Sequence, residues 1–316
     1  VGLTGVHDAG ITEEELAAFL ELAEENRLPL RVYLMWSGME EEDLERLLDS
    51  PPLINHHDRL TLRAVKLMID GAMGSRGAVF FEDYDDDPGN RGLLVMQPDE
   101  VERAATLALR RGYQVATHAI GDRAISLTLD AYEKALAAAP VEDPRPRIEH
   151  LQCVREREIE RLQRLGVIAS MQPTHATSDM YWAEQRVGAE RGRGLYAWRW
   201  ILDAGIPLAS GSDFPVELVR PLNGLYAAVT RQDHEKWPEG GWHPSQRMTL
   251  EEAIRSFTTT AAYAAFEETT RGRIAPGYSA DLTVFGRDLQ TIPPAEIPQA
   301  GIAYTIVGGR IVYEAS

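Results

Sequence analysis

The chain has 316 residues, 44% of them hydrophobic, which suits one large barrel-sized domain with an appendage or two ordinary domains around a sizeable core. Its 49 acidic residues outnumber 32 basic ones, the formal charge is −17, and no Lys/Arg stripe breaks that balance, so nucleic acid is excluded as an expected partner. No apolar run approaches the roughly 20 residues of a bilayer span, no basic-then-apolar leader is visible, and the single Cys153 allows no intrachain disulfide; the expectation is a cytoplasmic protein without membrane contact.

Strand-like and helix-like segments alternate along the chain. Residues 3–7 predict a short strand, followed by a helix that Thr12 opens in capping-box spacing with Glu15 and that runs to about Glu25. Residues 30–35 predict the next strand, 41–48 a short helix and 62–69 a third strand. The acidic runs Thr12-Glu13-Glu14-Glu15 and Glu40-Glu41-Glu42-Asp43 read as solvated helix starts. From 70 to 96 the pattern dissolves into Gly, Asp, Asn and Arg, and a loop of that length in a compact domain is more often functional than idle.

Helical periodicity returns over 98–111, ahead of a strand at 113–118, and an alanine-rich helix over 122–139 precedes a strand at 146–150. A helix at 156–165, a strand at 167–172, a helix at 196–204 and a strand at 208–213 follow, then helices at 221–231, 249–257 and 260–266. Alternating units of this kind imply a parallel sheet with right-handed crossovers. Seven strands ending in polar residues are one short of a closed (β/α)8 barrel of the TIM type. Residues 271–316 differ in kind, with short strands at 281–285, 303–307 and 310–313 and a Gly308-Gly309 hairpin turn. The expected division is a barrel over 1–270 and a partial β-sandwich over 271–316.

Three of the strands end on metal-capable residues: His118, His150 and Asp213. In a parallel α/β barrel the carboxyl ends of the strands share one face, where active sites are built. Two imidazoles and a carboxylate brought to that rim can hold a divalent metal and act on water.

Several motifs in order resemble the amidohydrolase superfamily, in its amidohydrolase-3 branch, which includes N-substituted formamide deformylases. They are Val65-Lys66-Leu67-Met68-Ile69-Asp70-Gly71 with Gly74-Ser75-Arg76, Thr117-His118-Ala119-Ile120-Gly121-Asp122, Ile148-Glu149-His150, Gln172-Pro173, Gly211-Ser212-Asp213-Phe214-Pro215-Val216 and the closing 272–282 segment. The resemblance implies a metal site built from a first-strand His-x-His pair, a carboxylated lysine, two histidines and an aspartate. The matching positions are Lys66, His118, His150 and Asp213, while the first-strand pair has no counterpart. Val1 falls inside what resembles the second strand, so the barrel is expected to lack its first strand and either to take it from another copy or another segment, or to keep an open rim with only the Lys66, His118 and His150 subsite usable. A homo-oligomer, or pairing with an N-terminal segment, follows from that expectation.

The implied chemistry is hydrolysis of a non-peptide C–N bond, in an amide, formamide or cyclic amide, by metal-activated hydroxide. The metal, one or two ions, is zinc by ligand type, with iron or manganese as alternatives. A lysine amine with a pKa near ~10.4 is protonated and cannot ligate, whereas a CO2-derived carbamate on Lys66 can bridge two ions. Failing that, Lys66 packs its stem and pairs with Asp70 or another acid. Asp213 would take the proton of the nucleophilic water and pass it to the leaving amine. His175 is a candidate catalytic contact to substrate or oxyanion, and Arg76 either holds a substrate carboxylate or pairs with a nearby acid.

Asp122 is expected to cap the helix that follows it, and Trp182, Tyr196 and Trp198 either line an apolar pocket or pack in the core. His7 is expected to pack. His56 and His57 are expected on the face opposite the chemistry, and His234 and His243 at the surface. The competing expectations are a non-catalytic scaffold with the barrel's shape and an esterase or phosphotriesterase-type activity on the same rim.

Overall fold

Alternation within each strand decides which side chains meet the helices and which the interior. The computed structural model describes residues 1–39 and 41–315, apart from the side chains of Glu41 and Glu42, so the acidic run at 40–43 lies partly outside the described residues. Eight strands precede residue 211: β1 (Gly5–Ile11), β2 (Arg31–Ser37), β3 (Leu53–His56), β4 (Leu60–Met68), β5 (Gln114–Ala119), β6 (Arg147–His150), β7 (Ile168–Met171) and β8 (Leu208–Ser210). Seven of them run parallel in the order β1-β2-β4-β5-β6-β7-β8, and β3 pairs antiparallel with β4. The seven are those expected from sequence. The hairpin arm β3 is not anticipated there, because Leu53 and Ile54 are its only apolar residues.

The sheet curls. His7 on β1 and Arg147 on β6 lie four strand spacings apart, roughly 19 Å in a flat sheet, yet Arg147 Nη1 is 3.0 Å from His7 Nδ1. Among the described residues β1 and β8 remain the two edges of the sheet.

One face of the curl is apolar but for Thr117, which takes a hydrogen bond from Tyr132 on the helix above it, and meets the helices: Val32, Leu34, Trp36, Val65, Leu67, Val115, Ile148, Ala169 and Leu208 belong to the main core. The registers of the parallel pairs put two rows on the concave face. One is Ser37–Lys66–Ala116–Arg147–Ile168, and the next towards the strand ends is Met68–His118–Glu149–Ser170–Ala209.

The helix Glu13–Glu24 carries the expected capping box between Thr12 and Glu15. Two helices, Pro173–Asp179 and Ala183–Gly192, occupy a stretch that reads as loop. The first lacks an apolar stripe and is announced only by a proline at its first turn, and the second contains Gly188 at φ 70°. Beyond the parallel sheet, β9 (Leu282–Phe285), β10 (Ile302–Val307) and β11 (Arg310–Glu314) form an antiparallel sheet ordered β11-β10-β9. Gly308 and Gly309 make its turn with φ of 58° and 77°. The buried Arg31 at the start of β2 pairs with Asp281 at 2.6 Å and ties the two sheets together. No helix among the described residues is long and apolar enough to cross a membrane.

Candidate metal centre

His118 lies on the concave face by simple alternation, with Lys66 on the neighbouring strand one pleat below it. Strict alternation would turn His150 away, since it pairs in register with Ala119. The backbone reverses that: His150 and Leu151 take φ of 76° and 47°, a left-handed conformation uncommon outside glycine. The His150 ring then sits edge-on to His118 with centroids 4.5 Å apart. Asp213, also left-handed at φ 58°, follows β8 by three residues rather than ending it as the sequence suggests, because Gly211 and Ser212 leave the sheet first. His175 enters from the helix Pro173–Asp179, its ring parallel to His150 at 6.0 Å. One donor atom each from His150, His175 and Asp213 lie within 4.8 Å of one another.

Neighbouring polar groups orient these rings. His150 Nδ1 is 2.8 Å from Gln172 Oε1, which places the proton on Nδ1 and leaves the Nε2 lone pair free. His175 Nδ1 is 3.4 Å from Gln152 Nε2, and its Nε2 is 3.7 Å from Asp213 Oδ2. Asp70, fully buried, accepts hydrogen bonds from the backbone N–H of Val79 (2.8 Å), Gly121 (2.9 Å) and Ile120 (3.0 Å), and its Oδ1 is 3.5 Å from His118 Nε2. Burial pushes the Asp70 carboxyl up to about 7 against the pull of those N–H groups.

Burial, reinforced by the His150 ring, lowers His118 to about 2 and His175 to about 3. Burial lowers His150 too, partly offset by the Asp213 charge. All three imidazoles are therefore neutral at pH 7, the state that ligates metals. Burial also lowers the Lys66 ammonium and raises the Asp213 carboxyl. The Nε2 atoms of His118 and His175 are buried with no hydrogen-bond partner within 3.5 Å, and the neutral rings stand beside a carboxylate, the donor chemistry a divalent ion takes. The donor set fits a divalent cation.

The remaining expected residues distribute as follows. Lys66 Nζ approaches the Leu67 carbonyl at 3.4 Å and makes no pair with Asp70. Arg76 takes the second of its two readings, gripping Asp86 through Nε (3.1 Å) and Nη2 (2.9 Å). Asp122 is not the cap expected of it: Gly121 is the N-cap, and the Asp122 carboxylate accepts from Phe81 N at 3.0 Å and pairs with Arg155 at 2.6 Å. Tyr196 and Trp198 are core residues, Trp198 lying 4.4 Å under the Arg231 guanidinium. Trp182 packs against Gly74 in the long loop.

His7 packs on Tyr33 as expected, and His56 and His57 turn between β3 and β4, at the strand end opposite the site. His234 is exposed, whereas His243 is only half-exposed, 2.8 Å from Glu184. Gln152, Gln172 and the Arg147–Glu149 pair, which have no role in the sequence reading, and Asp70, considered there only as a partner for Lys66, form the polar surroundings of the rings. Asp70 carries one signal, an acid closing the apolar run Leu67-Met68-Ile69.

A curled parallel α/β sheet that gathers neutral histidines and an aspartate beyond the carboxyl ends of its strands has the build of the metal-dependent α/β hydrolases. The chain belongs to the amidohydrolase family, whose Amidohydro_3 profile matches residues 1–313. It is 34% identical over 328 residues to a Bacillus subtilis (strain 168) protein named "Putative amidohydrolase YtcJ", covering 100% of this chain and 59% of that one. It is 28% identical to the N-substituted formamide deformylase of Arthrobacter pascens, covering 99% and 58%. Among solved structures, an uncharacterized metal-dependent hydrolase from Pyrococcus horikoshii OT3 superposes with a TM-score of 0.77 at 31% identity, over 87% of this chain and 54% of that one. The chain thus spans little more than half the length of these relatives.

Proposed function

We propose that this chain carries the downstream part of a metal-dependent hydrolase active site that cleaves a non-peptide C–N bond in a small amide, formamide or cyclic amide. The observation that carries the reading is the convergence of His150, His175 and Asp213 donor atoms within 4.8 Å, beside His118. His118, His150, Asp213 and a carbamate on Lys66 are the proposed ligands, and zinc suits imidazole and carboxylate donors. When bound, such an ion lowers the pKa of water towards ~7 and polarises the substrate carbonyl.

The chain's own groups do the remaining work. Burial makes the Asp213 carboxylate more basic than usual, which suits it to take a proton from water and return it to the departing nitrogen. His175 Nε2, buried and unpartnered 3.7 Å from Asp213, faces the same space and is placed to donate to the carbonyl oxygen as charge develops there. Gln172 and Gln152 hold the two rings in register. Burial lowers the Lys66 ammonium, a shift towards the neutral amine that carbamate formation requires.

A cleft of about 440 Å3 opens between β1 and β8, lined by His7, Asp8 and Ala9 on one side and Ser210 to Asp213 on the other. We place a further strand there, closing the parallel sheet into a barrel. Asp213→Asn tests the function on a panel of N-substituted amides and formamides with added zinc. Turnover should fall at least ~100-fold while zinc is retained through the other ligands. Undiminished activity in the variant would refute the proton-transfer role, and absence of both zinc and turnover in the wild type would refute the reading as a whole.

A further inference from the structure

We propose that Asp70 couples the long 70–96 segment to the metal centre, so that filling the site at His118 also fixes that segment over the rim. This rests on reading His118 as a ligand. One buried carboxylate serves both partners. Its Oδ2 accepts from Val79 N (2.8 Å), inside the segment, and from Gly121 N (2.9 Å), just past β5. Its Oδ1 accepts from Ile120 N (3.0 Å) and stands 3.5 Å from His118 Nε2.

The far end of the segment returns to the same place. Val95 N donates to Ile69 O (2.9 Å), and Ile69 N donates in turn to His118 O (3.1 Å). Residues 69 and 70 therefore sit between His118 and both ends of the segment. No slack exists at the contact, since a Cβ on Gly121 would come within 2.1 Å of Val79 O.

A carboxylate beside a ligating imidazole fixes the ring and raises its basicity. Asp70 cannot shift towards His118 without pulling on Val79, Ile120 and Gly121, so ring position and segment position move together. Two events that share one group in this way are linked in both directions, with equal coupling free energy. Asp122 provides the contrast. It ties the same segment through Phe81 N (3.0 Å), but its other partner is Arg155 and it contacts no imidazole.

The test measures amide hydrogen exchange across 77–95 and zinc affinity by chelator competition, in the wild-type chain, Asp70→Asn and Asp122→Asn. Zinc should increase protection of the Val79 and Val95 amides in the wild type, a comparison that needs no variant. Asp70→Asn should weaken zinc binding by ~10–100-fold and abolish the zinc-dependent protection. Asp122→Asn should loosen the segment and leave zinc affinity unchanged. Zinc bound by the wild type with no change in protection would overturn the coupling alone, as would an equal loss of zinc affinity in both variants. No zinc bound by the wild type would overturn the proposed function, and the coupling with it.

Discussion

Replacing Arg147 with methionine tests whether the concave face is held by a buried ion pair. Arg147 and Glu149 are 3% and 8% exposed at the side chain. Arg147 Nε and Nη2 meet the two Glu149 oxygens at 2.8 and 3.2 Å, and Nη2 also donates to Ser170 Oγ at 3.1 Å. Methionine fills much of the same volume but leaves Glu149 charged and buried without its main partner, a defect that costs about 3–5 kcal/mol. At roughly 2 °C per kcal/mol for a chain of this size, the melting temperature should drop by roughly 6–10 °C.

The pH dependence adds a sharper criterion. In the wild type, burial pushes the Glu149 carboxyl up, but Arg147, with help from Ser170, pulls it further down, so its net position is below the usual carboxylate range. That stabilisation is present above the unfolded carboxyl pKa and is lost as pH falls through the folded value. In the variant only Ser170 and the Lys66 charge still pull the carboxyl down; burial outweighs them and the sign inverts: the folded carboxyl titrates above the unfolded one, and acid removes the buried charge. The gap between wild type and variant should therefore be widest near pH 8 and shrink towards about pH 5. Urea denaturation at both values measures it. A gap under about 1 kcal/mol, or one independent of pH, would refute the reasoning.

Two further predictions concern neighbouring groups. Burial and the Arg147 charge lower His7 to about 3 from 6.5, so the stability that neutral His7 contributes is complete above pH 6.5 and is lost as pH falls towards about 3. His7→Phe should flatten the decline in urea midpoint from neutral to mildly acid pH, and an unchanged slope would contradict the assignment. Isotope-labelled bicarbonate should give a carbamate NMR signal in zinc-loaded wild type that is absent in Lys66→Met, and its absence from the wild type would remove Lys66 from the ligand set.

What was legible in the sequence was local. His118 and His150 each fall at the close of a short strand-like segment, and the structure puts His150 last in β6 and His118 one residue before the end of β5. Asp213 was expected to end its strand and instead lies three residues past β8, since nothing in Ser210-Gly211-Ser212 marks where pairing with β7 stops. The left-handed turn that brings His150 round to His118 has no signal in a non-glycine residue.

His175 was a candidate by proximity to Gln172, but its helix was unforeseen, because a short polar helix shows no periodicity to read. Partners remote in sequence were out of reach altogether. Asp70 binds groups 9 and about 50 residues away, and Arg147 meets His7 only because the sheet curls. Asp122 looked like a cap from its place before an alanine-rich helix, yet its oxygens are taken by Phe81 and Arg155.

The central claim is that these strand ends build a metal site, and elemental analysis of the purified chain tests it most directly. After loading with zinc and exhaustive dialysis, the wild type should retain at least one equivalent, and His150→Asn, which removes the ring beside both His118 and His175, should retain much less. A wild type that holds no metal, or a variant that holds as much as the wild type, would contradict it.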